Sequence, residues 1–258
     1  LSKPSSPVGR SNGGRSGCTS TSPVPAATRW QRRSTVRGFC AWLGSRLPRL
    51  APVRRVVIVG ATGSIGRQAA EVVQASDELE AVGLVAGRSW KELLALAETL
   101  GVERIALADP AAAALAAEHF RGRVHAGSEG AIELICEAGC DVVLNAAVGA
   151  AGLTATIAAL GEGIDLALAN KESLVVAGEL VAALAEATGA RIVPVDSEHS
   201  ALFQLLRGEA PGTVERLVLT ASGGPFRGRS QEEIAHATVE EALAHPTWRM
   251  GGKITVDS

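Results

Sequence analysis

The stretch Val56-Val57-Ile58-Val59-Gly60-Ala61-Thr62-Gly63-Ser64-Ile65-Gly66 decides the fold of this chain. Its first four residues form an apolar, β-branched run that predicts a buried parallel strand. Gly60 permits a tight turn, Gly63 lets backbone N–H groups approach a pyrophosphate, and Gly66 lets the next helix pack closely on the sheet. The amino terminus of that helix attracts anions. The stretch therefore predicts a dinucleotide site, with a merely tight strand-to-helix turn as the alternative.

Length and composition narrow the class of protein. The chain has 258 residues, 47% of them hydrophobic, which is enough for a sizeable core in one or two domains. No apolar stretch reaches the roughly 18 residues that a membrane span needs, so we expect no membrane partner. The four cysteines, Cys18, Cys40, Cys136 and Cys140, are too few for a disulfide scaffold. We expect a reducing compartment, and we assign Cys136 and Cys140 to the core.

The first part of the chain differs chemically from the rest. Residues 1–55 contain eleven basic residues and no acidic ones, whereas the remainder contains fourteen basic and twenty-seven acidic residues. A segment so rich in Ser, Pro, Gly and Arg predicts a disordered extension over residues 1–54. An unstructured extension or mis-called start is favoured over a transit peptide and over a nucleic-acid-binding arm. We expect a cytoplasmic protein without a nucleic-acid partner, or a plastid stromal one if the segment is a transit peptide.

From residue 55 onward, short apolar runs alternate with longer amphipathic segments, the pattern of a doubly wound parallel sheet. Strands are predicted at residues 55–59, 79–86, 104–107, 141–144, 165–169, 191–195 and 214–219. Helix caps are predicted at Ser89, Asp109, Ser128, Ser230 and Thr238. The chain is therefore predicted to be an α/β protein with a Rossmann-type domain over residues 55–195.

The end of the second predicted strand indicates which dinucleotide binds. Rossmann domains that take NAD place Asp or Glu there to accept a hydrogen bond from the ribose 2′-hydroxyl. Here the sequence is Ala86-Gly87-Arg88-Ser89, without a carboxylate. The Arg88 guanidinium can pair with a 2′-phosphate, which favours NADP(H). A solvated loop charge is the alternative.

Polar residues directly follow several predicted strands, at the edge of the sheet where such folds bind ligands. They are Asn145, Asn170-Lys171-Glu172 and Asp196-Ser197-Glu198-His199. Asp196 and Glu198, two residues apart on a strand end, can point the same way and suit Mg²⁺ or Mn²⁺ held jointly with a substrate. Two alternatives stay open: the acidic pair could instead begin a helix, and the asparagines could be helix caps.

Two later loops are candidates for the same site. Ser222 precedes Gly223 and Gly224, which together offer a hydroxyl and exposed N–H groups to a phosphate, although a plain turn has the same composition. The loop at residues 245–252 places Trp248 beside His and Arg, as in a lid over an anionic ligand. A Trp buried under the loop is the alternative there.

Five blocks extend the pattern: Gly-Ala-Thr-Gly-Ser-Ile-Gly (60–66), Ala-Leu-Ala-Asn-Lys-Glu-Ser (167–173), Pro-Val-Asp-Ser-Glu-His-Ser (194–200), Ala-Ser-Gly-Gly-Pro-Phe (221–226) and the segment 245–258 that begins His-Pro-Thr-Trp-Arg-Met-Gly-Gly. In this order they resemble the 1-deoxy-D-xylulose 5-phosphate reductoisomerase family. The resemblance implies an NADPH-dependent oxidoreductase that also uses Mg²⁺, Mn²⁺ or Co²⁺ and forms a homodimer at full length. Its reaction isomerises and reduces 1-deoxy-D-xylulose 5-phosphate to 2-C-methyl-D-erythritol 4-phosphate, in non-mevalonate isoprenoid precursor synthesis.

The resemblance also implies roles for individual residues. NADPH would be contacted by Thr62, Gly63, Ser64, Ile65, Gly87, Arg88, Ser89, Asn170, Glu172 and Gly251. The metal ligands would be Asp196 and Glu198, and the catalytic groups Lys171, Asp196, Glu198 and His245. The substrate would be contacted by Lys171, Ser197, Glu198, Ser222, His245 and Ser258, with Trp248 and Met250 on a flexible flap.

In the family the chain continues, with an Asn and a Lys for the substrate phosphate, a third metal carboxylate and a helical domain. We therefore expect residues 196–258 to be an incomplete α/β catalytic domain, and residues 1–258 alone to bind NADPH weakly and turn over poorly. One alternative is a non-catalytic NADP-sensing Rossmann protein. Another is a semialdehyde-type NADP dehydrogenase, which needs a nucleophilic Cys in its second domain, whereas no Cys follows Cys140.

Overall fold

The computed structural model describes residues 52–221, 223–247 and 252–256. These residues contain a seven-stranded sheet of order β4-β3-β2-β1-β5-β6-β7, with every pair of neighbouring strands parallel. The strands are β1 (Arg54–Val59), β2 (Leu79–Ala86), β3 (Arg104–Leu107), β4 (Arg123–Ala126), β5 (Val142–Asn145), β6 (Asp165–Leu168) and β7 (Ile192–Pro194). The predicted α/β class and doubly wound parallel sheet are confirmed.

Helices lie between the strands and after the last of them. They are α1 (Ser64–Gln74), α2 (Trp90–Leu100), α3 (Pro110–His119), α4 (Gly127–Ala138), α5 (Gly152–Gly161), α6 (Glu172–Thr188), α7 (Ser197–Leu206), α8 (Gln231–Ala235), α9 (Val239–Ala242) and α10 (Gly252–Val256), with a short 3₁₀ turn at Gly149–Ala151. Helices α1 to α6 connect the strands and cover both faces of the sheet, and α7 to α10 follow β7. Val57 and Ile58 belong to separate buried clusters. Successive strand residues point to opposite faces, so a sheet covered on both faces needs the continuous apolar run of β1.

Three of the predicted helix caps form. Asp109 Oδ1 accepts the N–H of Ala111 at 2.9 Å, and Pro110 occupies the first position of α3. Ser230 and Thr238 each close a capping box at the starts of α8 and α9. These starts were predictable because a side-chain acceptor satisfies helix N–H groups that have no partner within the helix.

Two predicted caps do not form. Ser89 occupies the cap position of α2, as predicted, but its side chain makes no cap bond, and its backbone has φ −76° and ψ 62°. That backbone is not the extended conformation that turns a cap hydroxyl back toward the helix. Ser128 lies within α4, because the helix already begins at Gly127.

The strand prediction missed β4 and placed one strand that does not form. β4 has little apolar character to predict it, since Val124 and Ala126 alternate with Arg123 and a buried His125. Residues 214–219 form no strand, and no strand in the described part of the chain pairs with them. An apolar run becomes a strand only where a neighbour completes its hydrogen bonds, and Val218 is 67% exposed here.

The two described cysteines differ in burial. Cys140 is buried, as predicted, and burial raises the pKa of its thiol to about 11. Cys136 is exposed, so its assignment to the core is wrong. Helix α4 ends at Ala138 and Gly139 adopts φ +58°, so the two residues do not share one helix face.

None of the helices in the described part of the chain has both the length and the apolarity of a membrane span.

Asp165 connects the amino-terminal ends of β1, β6 and β7 through ion pairs. Its carboxylate lies 2.9 Å from Arg54 Nη2 and 2.5 Å from Arg191 Nη2. Hydrogen bonds from Arg191, opposed by partial burial, hold the pKa of Asp165 down at about 2. This ion-pair cluster holds β1 and the residue before β7 against the start of β6.

The substitution Asp165→Asn is expected to lower the free energy of unfolding at neutral pH by about 1 kcal/mol, because solvent screens the exposed arginines. The pKa is lower in the folded state, so this stabilisation is present above about pH 4 and is lost as the pH falls toward about 2. Urea unfolding of both proteins across this range should show the difference narrowing in acid. A difference that stays constant with pH would contradict the assignment.

Candidate functional site

The order of the sheet reverses at β1, which lies between β2 and β5. In open parallel sheets, ligands bind in the crevice at the carboxyl ends of the strands where the order reverses. Val59, the last residue of β1, is paired with Asn145, the last residue of β5. The crevice therefore lies between the glycine turn after β1 and the loop at residues 146–151 after β5.

The glycine turn has the tight backbone that the sequence predicts. Gly60 adopts φ +81°, and a Cβ placed there would lie 2.5 Å from the Ala146 carbonyl oxygen. A Cβ at Gly66 would lie 2.2 Å from the Gly60 carbonyl oxygen. The tight turn at Gly60 and the close approach of α1 at Gly66 are thus confirmed. Helix α1 then begins directly beside the crevice.

The residues predicted to contact the dinucleotide phosphates lie in this turn. Gly63 and Ser64 are exposed, and Thr62 and Ile65 are half-buried. The cap position, Gly63, offers no side chain to the first N–H groups of α1. Those groups are available to an anion, which the helix dipole also favours.

Arg88 follows the next strand of the sheet. Gly87, Arg88 and Ser89 are exposed residues between β2 and α2. Arg88 Nε lies 3.1 Å from Asp109 Oδ2, and the Arg88 side chain is 87% exposed. Asp109 thus holds the guanidinium near the carboxyl ends of β2 and β3 and leaves most of its surface open to a second anion.

The two predicted asparagines are buried rather than open to a ligand. Asn145 is 0% and Asn170 is 1% exposed. Asn170 Nδ2 donates to the carbonyl oxygens of Ala147 at 2.8 Å and Gly149 at 2.9 Å. Its side chain is therefore engaged within the protein. Glu172, another predicted cofactor contact, begins α6 and is half-buried.

Lys171 and Asp196, predicted from separate strands, meet at the carboxyl edge. Lys171 Nζ lies 3.3 Å from Asp196 Oδ2, and His199 Nδ1 lies 2.5 Å from Asp196 Oδ1. Partial burial disfavours the charged carboxylate, but the bonds from His199 and Lys171 outweigh it and lower the pKa of Asp196. Asp196 is thus an ionised carboxylate at neutral pH.

The acidic pair begins a helix and does not lie on a strand end. β7 ends at Pro194, Asp196 is the cap residue of α7, and Glu198 lies in its first turn. The premise of a shared strand face is therefore wrong, because the chain turns into α7 directly after β7. The Asp196 side chain nevertheless makes no cap bond. Glu198 accepts a hydrogen bond from the Ser197 hydroxyl.

This donor set suits a hard cation without forming a complete centre. Asp196 and Glu198 supply carboxylate oxygens, the ligands that Mg²⁺ and Mn²⁺ prefer. In the described ranges, no three His, Cys, Asp or Glu side chains converge as metal ligands. Asp196 and Glu198 can therefore supply two ligands of a metal site whose other ligands come from elsewhere, such as a bound substrate.

The later candidate loops are only partly described. Ser222, Trp248, Met250, Gly251 and Ser258 lie outside the described residues. His245 follows α9 and is half-buried, and its Nδ1 accepts the N–H of Thr247 at 3.1 Å.

A cavity of about 720 Å³ lies elsewhere, beside α2. Its lining includes Leu94, Val102, Phe120 and Arg121, near the amino-terminal ends of β3 and β4. The candidate site lies at the opposite, carboxyl ends of the strands, on an open edge of the sheet. This cavity is therefore not part of the candidate site.

Comparison with known proteins identifies the family. The model of 1-deoxy-D-xylulose 5-phosphate reductoisomerase matches residues 56–178, and the model of that family's C-terminal domain matches residues 192–258. The chain belongs to the 1-deoxy-D-xylulose 5-phosphate reductoisomerase family. Both matches cover the predicted blocks, so the resemblance inferred from the sequence is confirmed.

Individual relatives agree with this placement. Reductoisomerases of Rhodococcus jostii and of Leifsonia xyli subsp. xyli are 55% and 52% identical to the chain, over 79% and 80% of its length. The chain spans about half the length of these curated relatives, 50% and 52% respectively. A crystal structure of a reductoisomerase in complex with NADPH, fosmidomycin and magnesium is 38% identical, with a TM-score of 0.72, over 79% of this chain and 54% of that one.

Proposed function

We propose that the full-length protein is an NADPH- and divalent-metal-dependent enzyme that converts 1-deoxy-D-xylulose 5-phosphate to 2-C-methyl-D-erythritol 4-phosphate. The observation that carries the proposal is the contact between Lys171 and Asp196 at the carboxyl edge. That edge belongs to the same sheet as the glycine turn. A carboxylate that would hold a cation and a turn that would hold a dinucleotide, on one edge of the sheet, suit the reduction of a carbonyl group.

NADPH is proposed to bind with its pyrophosphate at the amino terminus of α1 and its 2′-phosphate at Arg88. The related crystal structure contains NADPH, which supports this choice of cofactor. When bound, NADPH supplies the hydride. The chain contributes the first N–H groups of α1 and the guanidinium that Asp109 holds in place. The remaining proposed cofactor contacts are Gly87, Ser89, Glu172 and Gly251, whereas the buried Asn170 side chain is engaged with the loop at residues 146–151.

Mg²⁺ or Mn²⁺ is proposed to bind at Asp196 and Glu198. When bound, the ion supplies Lewis-acid polarisation of the substrate's carbonyl oxygen. Lys171 and His199 keep Asp196 ionised and oriented, and Lys171 also places an ammonium group where a phosphorylated sugar would bind. The proposed substrate contacts are Lys171, Ser197, Glu198, Ser222, His245, Trp248 and Ser258.

The full-length protein is further proposed to be a cytoplasmic homodimer. Support for assembly comes from α6, where Leu174, Val175 and Val176 are 43%, 83% and 64% exposed. Contiguous exposed apolar residues of this kind are usually covered by another domain or another subunit. Size-exclusion chromatography with light scattering would measure the state, and a monomer at micromolar concentration would contradict it.

The activity is tested with the purified full-length protein, 1-deoxy-D-xylulose 5-phosphate, NADPH and Mg²⁺. We expect NADPH oxidation matched by formation of 2-C-methyl-D-erythritol 4-phosphate, identified by NMR. NADPH binding without turnover would instead favour the NADP-sensing alternative. Reduction of a semialdehyde with no reaction of the sugar phosphate would favour the dehydrogenase alternative.

The substitution Arg88→Ala is expected to reduce the preference for NADPH over NADH by about tenfold, because it removes a charge-assisted contact with the 2′-phosphate. Fluorescence titrations with both nucleotides measure the ratio of dissociation constants. Arg121→Ala is the matched control, since Arg121 is an exposed arginine before β4, at the other end of the sheet. An unchanged ratio in Arg88→Ala would show that Arg88 is only a solvated charge.

A further inference from the structure

A chain of buried polar side chains lies beneath the loop at residues 146–151. Asn145, Thr156, Asn170 and Ser173 are each at most 1% exposed. Asn145 Nδ2 donates to Thr156 Oγ1 at 2.9 Å, and Thr156 Oγ1 donates to Ser173 Oγ at 3.2 Å. Ser173 Oγ in turn donates to Asn170 Oδ1 at 2.5 Å. Each hydroxyl both accepts and donates, so the hydrogen bonds run in one direction.

Ser173 determines which way the Asn170 amide faces. Asn170 Oδ1 accepts from both the hydroxyl and the backbone N–H of Ser173, at 2.5 and 3.0 Å. A flipped amide would place its NH₂ group against the backbone N–H of Ser173 and its oxygen against the loop carbonyl oxygens, which a buried site cannot satisfy. The Asn170 NH₂ group must therefore face the loop, where it donates to the carbonyl oxygens of Ala147 and Gly149.

The loop that Asn170 holds is one wall of the dinucleotide crevice. Its first residue, Ala146, donates its N–H to the Val59 carbonyl oxygen at 2.8 Å. The Ala146 carbonyl oxygen lies 2.5 Å from the position of a Cβ at Gly60. The loop also carries Val148, whose apolar side chain is 65% exposed. Two carbonyl bonds from one buried amide keep this exposed surface in place beside the glycine turn.

This loop and Arg88 lie on opposite sides of the point where the strand order reverses. Arg88 follows β2, on one side of β1, and the loop follows β5, on the other side. A dinucleotide that crosses this point places the adenosine half over one group of strands and the other nucleotide half over the second group. A 2′-phosphate at Arg88 therefore puts the nicotinamide half against the loop.

We propose that Ser173 is a positioning residue for the nicotinamide half of the cofactor. This inference rests on the proposed function, because it requires NADP(H) at the glycine turn. Ser173 is 1% exposed, so it is not proposed to contact the cofactor directly. Its hydroxyl orients Asn170, Asn170 holds the carbonyls of Ala147 and Gly149, and the loop then presents a fixed surface to the nicotinamide.

The test compares two ligands that share the adenosine half. NADPH and 2′,5′-ADP, which lacks the nicotinamide half, are titrated calorimetrically into the full-length protein and its Ser173→Ala variant. We expect the dissociation constant of NADPH to rise by about tenfold and that of 2′,5′-ADP to change by less than about twofold. Ser173→Cys keeps a weak donor of similar size and should give an intermediate value for NADPH.

Val181→Ala is the control for general loss of stability. Val181 is fully buried in α6, the helix that carries Ser173, but it has no hydrogen bond to the loop. This variant should melt at a lower temperature while binding both ligands as the wild type does. Unchanged NADPH affinity in Ser173→Ala, or an equal loss for both ligands, would overturn the inference. Failure of the wild type to bind either ligand would refute the proposed function instead.

Discussion

Replacing Gly66 with alanine is expected to lower the free energy of unfolding by about 3 kcal/mol and to abolish measurable NADPH binding. The added Cβ would lie 2.2 Å from the Gly60 carbonyl oxygen and 2.7 Å from Ala61 Cα. Both are backbone atoms, so no flexible side chain can move aside. Either α1 shifts away from β1 or the turn opens, and both movements displace the N–H groups proposed to bind the pyrophosphate. Urea unfolding and an NADPH titration measure the two effects.

Gly161→Ala is the matched control for this substitution. Gly161 is the last residue of α5, and a Cβ there would meet nothing within 4 Å. Alanine at this position should change the free energy of unfolding by less than about 0.5 kcal/mol and leave NADPH affinity unchanged. Equal stability of Gly66→Ala and Gly161→Ala would show that the close packing of α1 on the turn is not required.

The substitution Asp196→Asn is expected to reduce metal-dependent turnover of the full-length protein by about 100-fold or more. The amide removes one of the two carboxylates proposed to hold the cation. It also leaves Lys171 and His199 without their anionic partner. Steady-state rates over a range of Mg²⁺ concentrations should show a lower kcat together with a much higher Mg²⁺ requirement.

The control for Asp196→Asn is an exposed carboxylate remote from the carboxyl edge. Asp141 precedes β5 and pairs with Arg55 at the amino-terminal end of the sheet. Asp141→Asn should retain the wild-type Mg²⁺ dependence, even if stability falls slightly. Should Asp196→Asn also keep the wild-type dependence on Mg²⁺, the cation would have to bind elsewhere.

Local sequence predicted most of the sheet because its central strands are buried on both faces. β2 and β3 were predicted with their observed ends, and β1 to within one residue. β4 was missed because its sequence is short and mixes polar with apolar residues. It forms a strand because it pairs with β3. Residues 214–219 are as apolar as a strand, but they have no strand partner among the described residues and form none. Pairing is a tertiary property that local pattern does not contain.

The parts of the candidate site that could be predicted from the sequence are those where a residue directly follows a strand, because parallel strands place such residues at one edge of the sheet. The turn at Gly60 and the meeting of Lys171 with Asp196 belong to this class. Ser173 and Thr156 were missed, because each is an ordinary small polar residue within a helix and only the fold brings their hydroxyls together. One local pattern could have indicated Ser173. An asparagine just before a helix often accepts a hydrogen bond from the backbone N–H of the residue three positions later, and Ser173 is three residues after Asn170.

The central claim is that a phosphorylated dinucleotide and a divalent cation bind along one edge of this sheet. Paramagnetic broadening of bound NADP⁺ by Mn²⁺ in the full-length protein tests it most directly. If both ligands bind along this edge, Mn²⁺ should broaden the nicotinamide proton resonances more than the adenine resonances, and Asp196→Asn should remove the effect. Mn²⁺ and NADP⁺ bound together with no broadening of the nicotinamide resonances would contradict it.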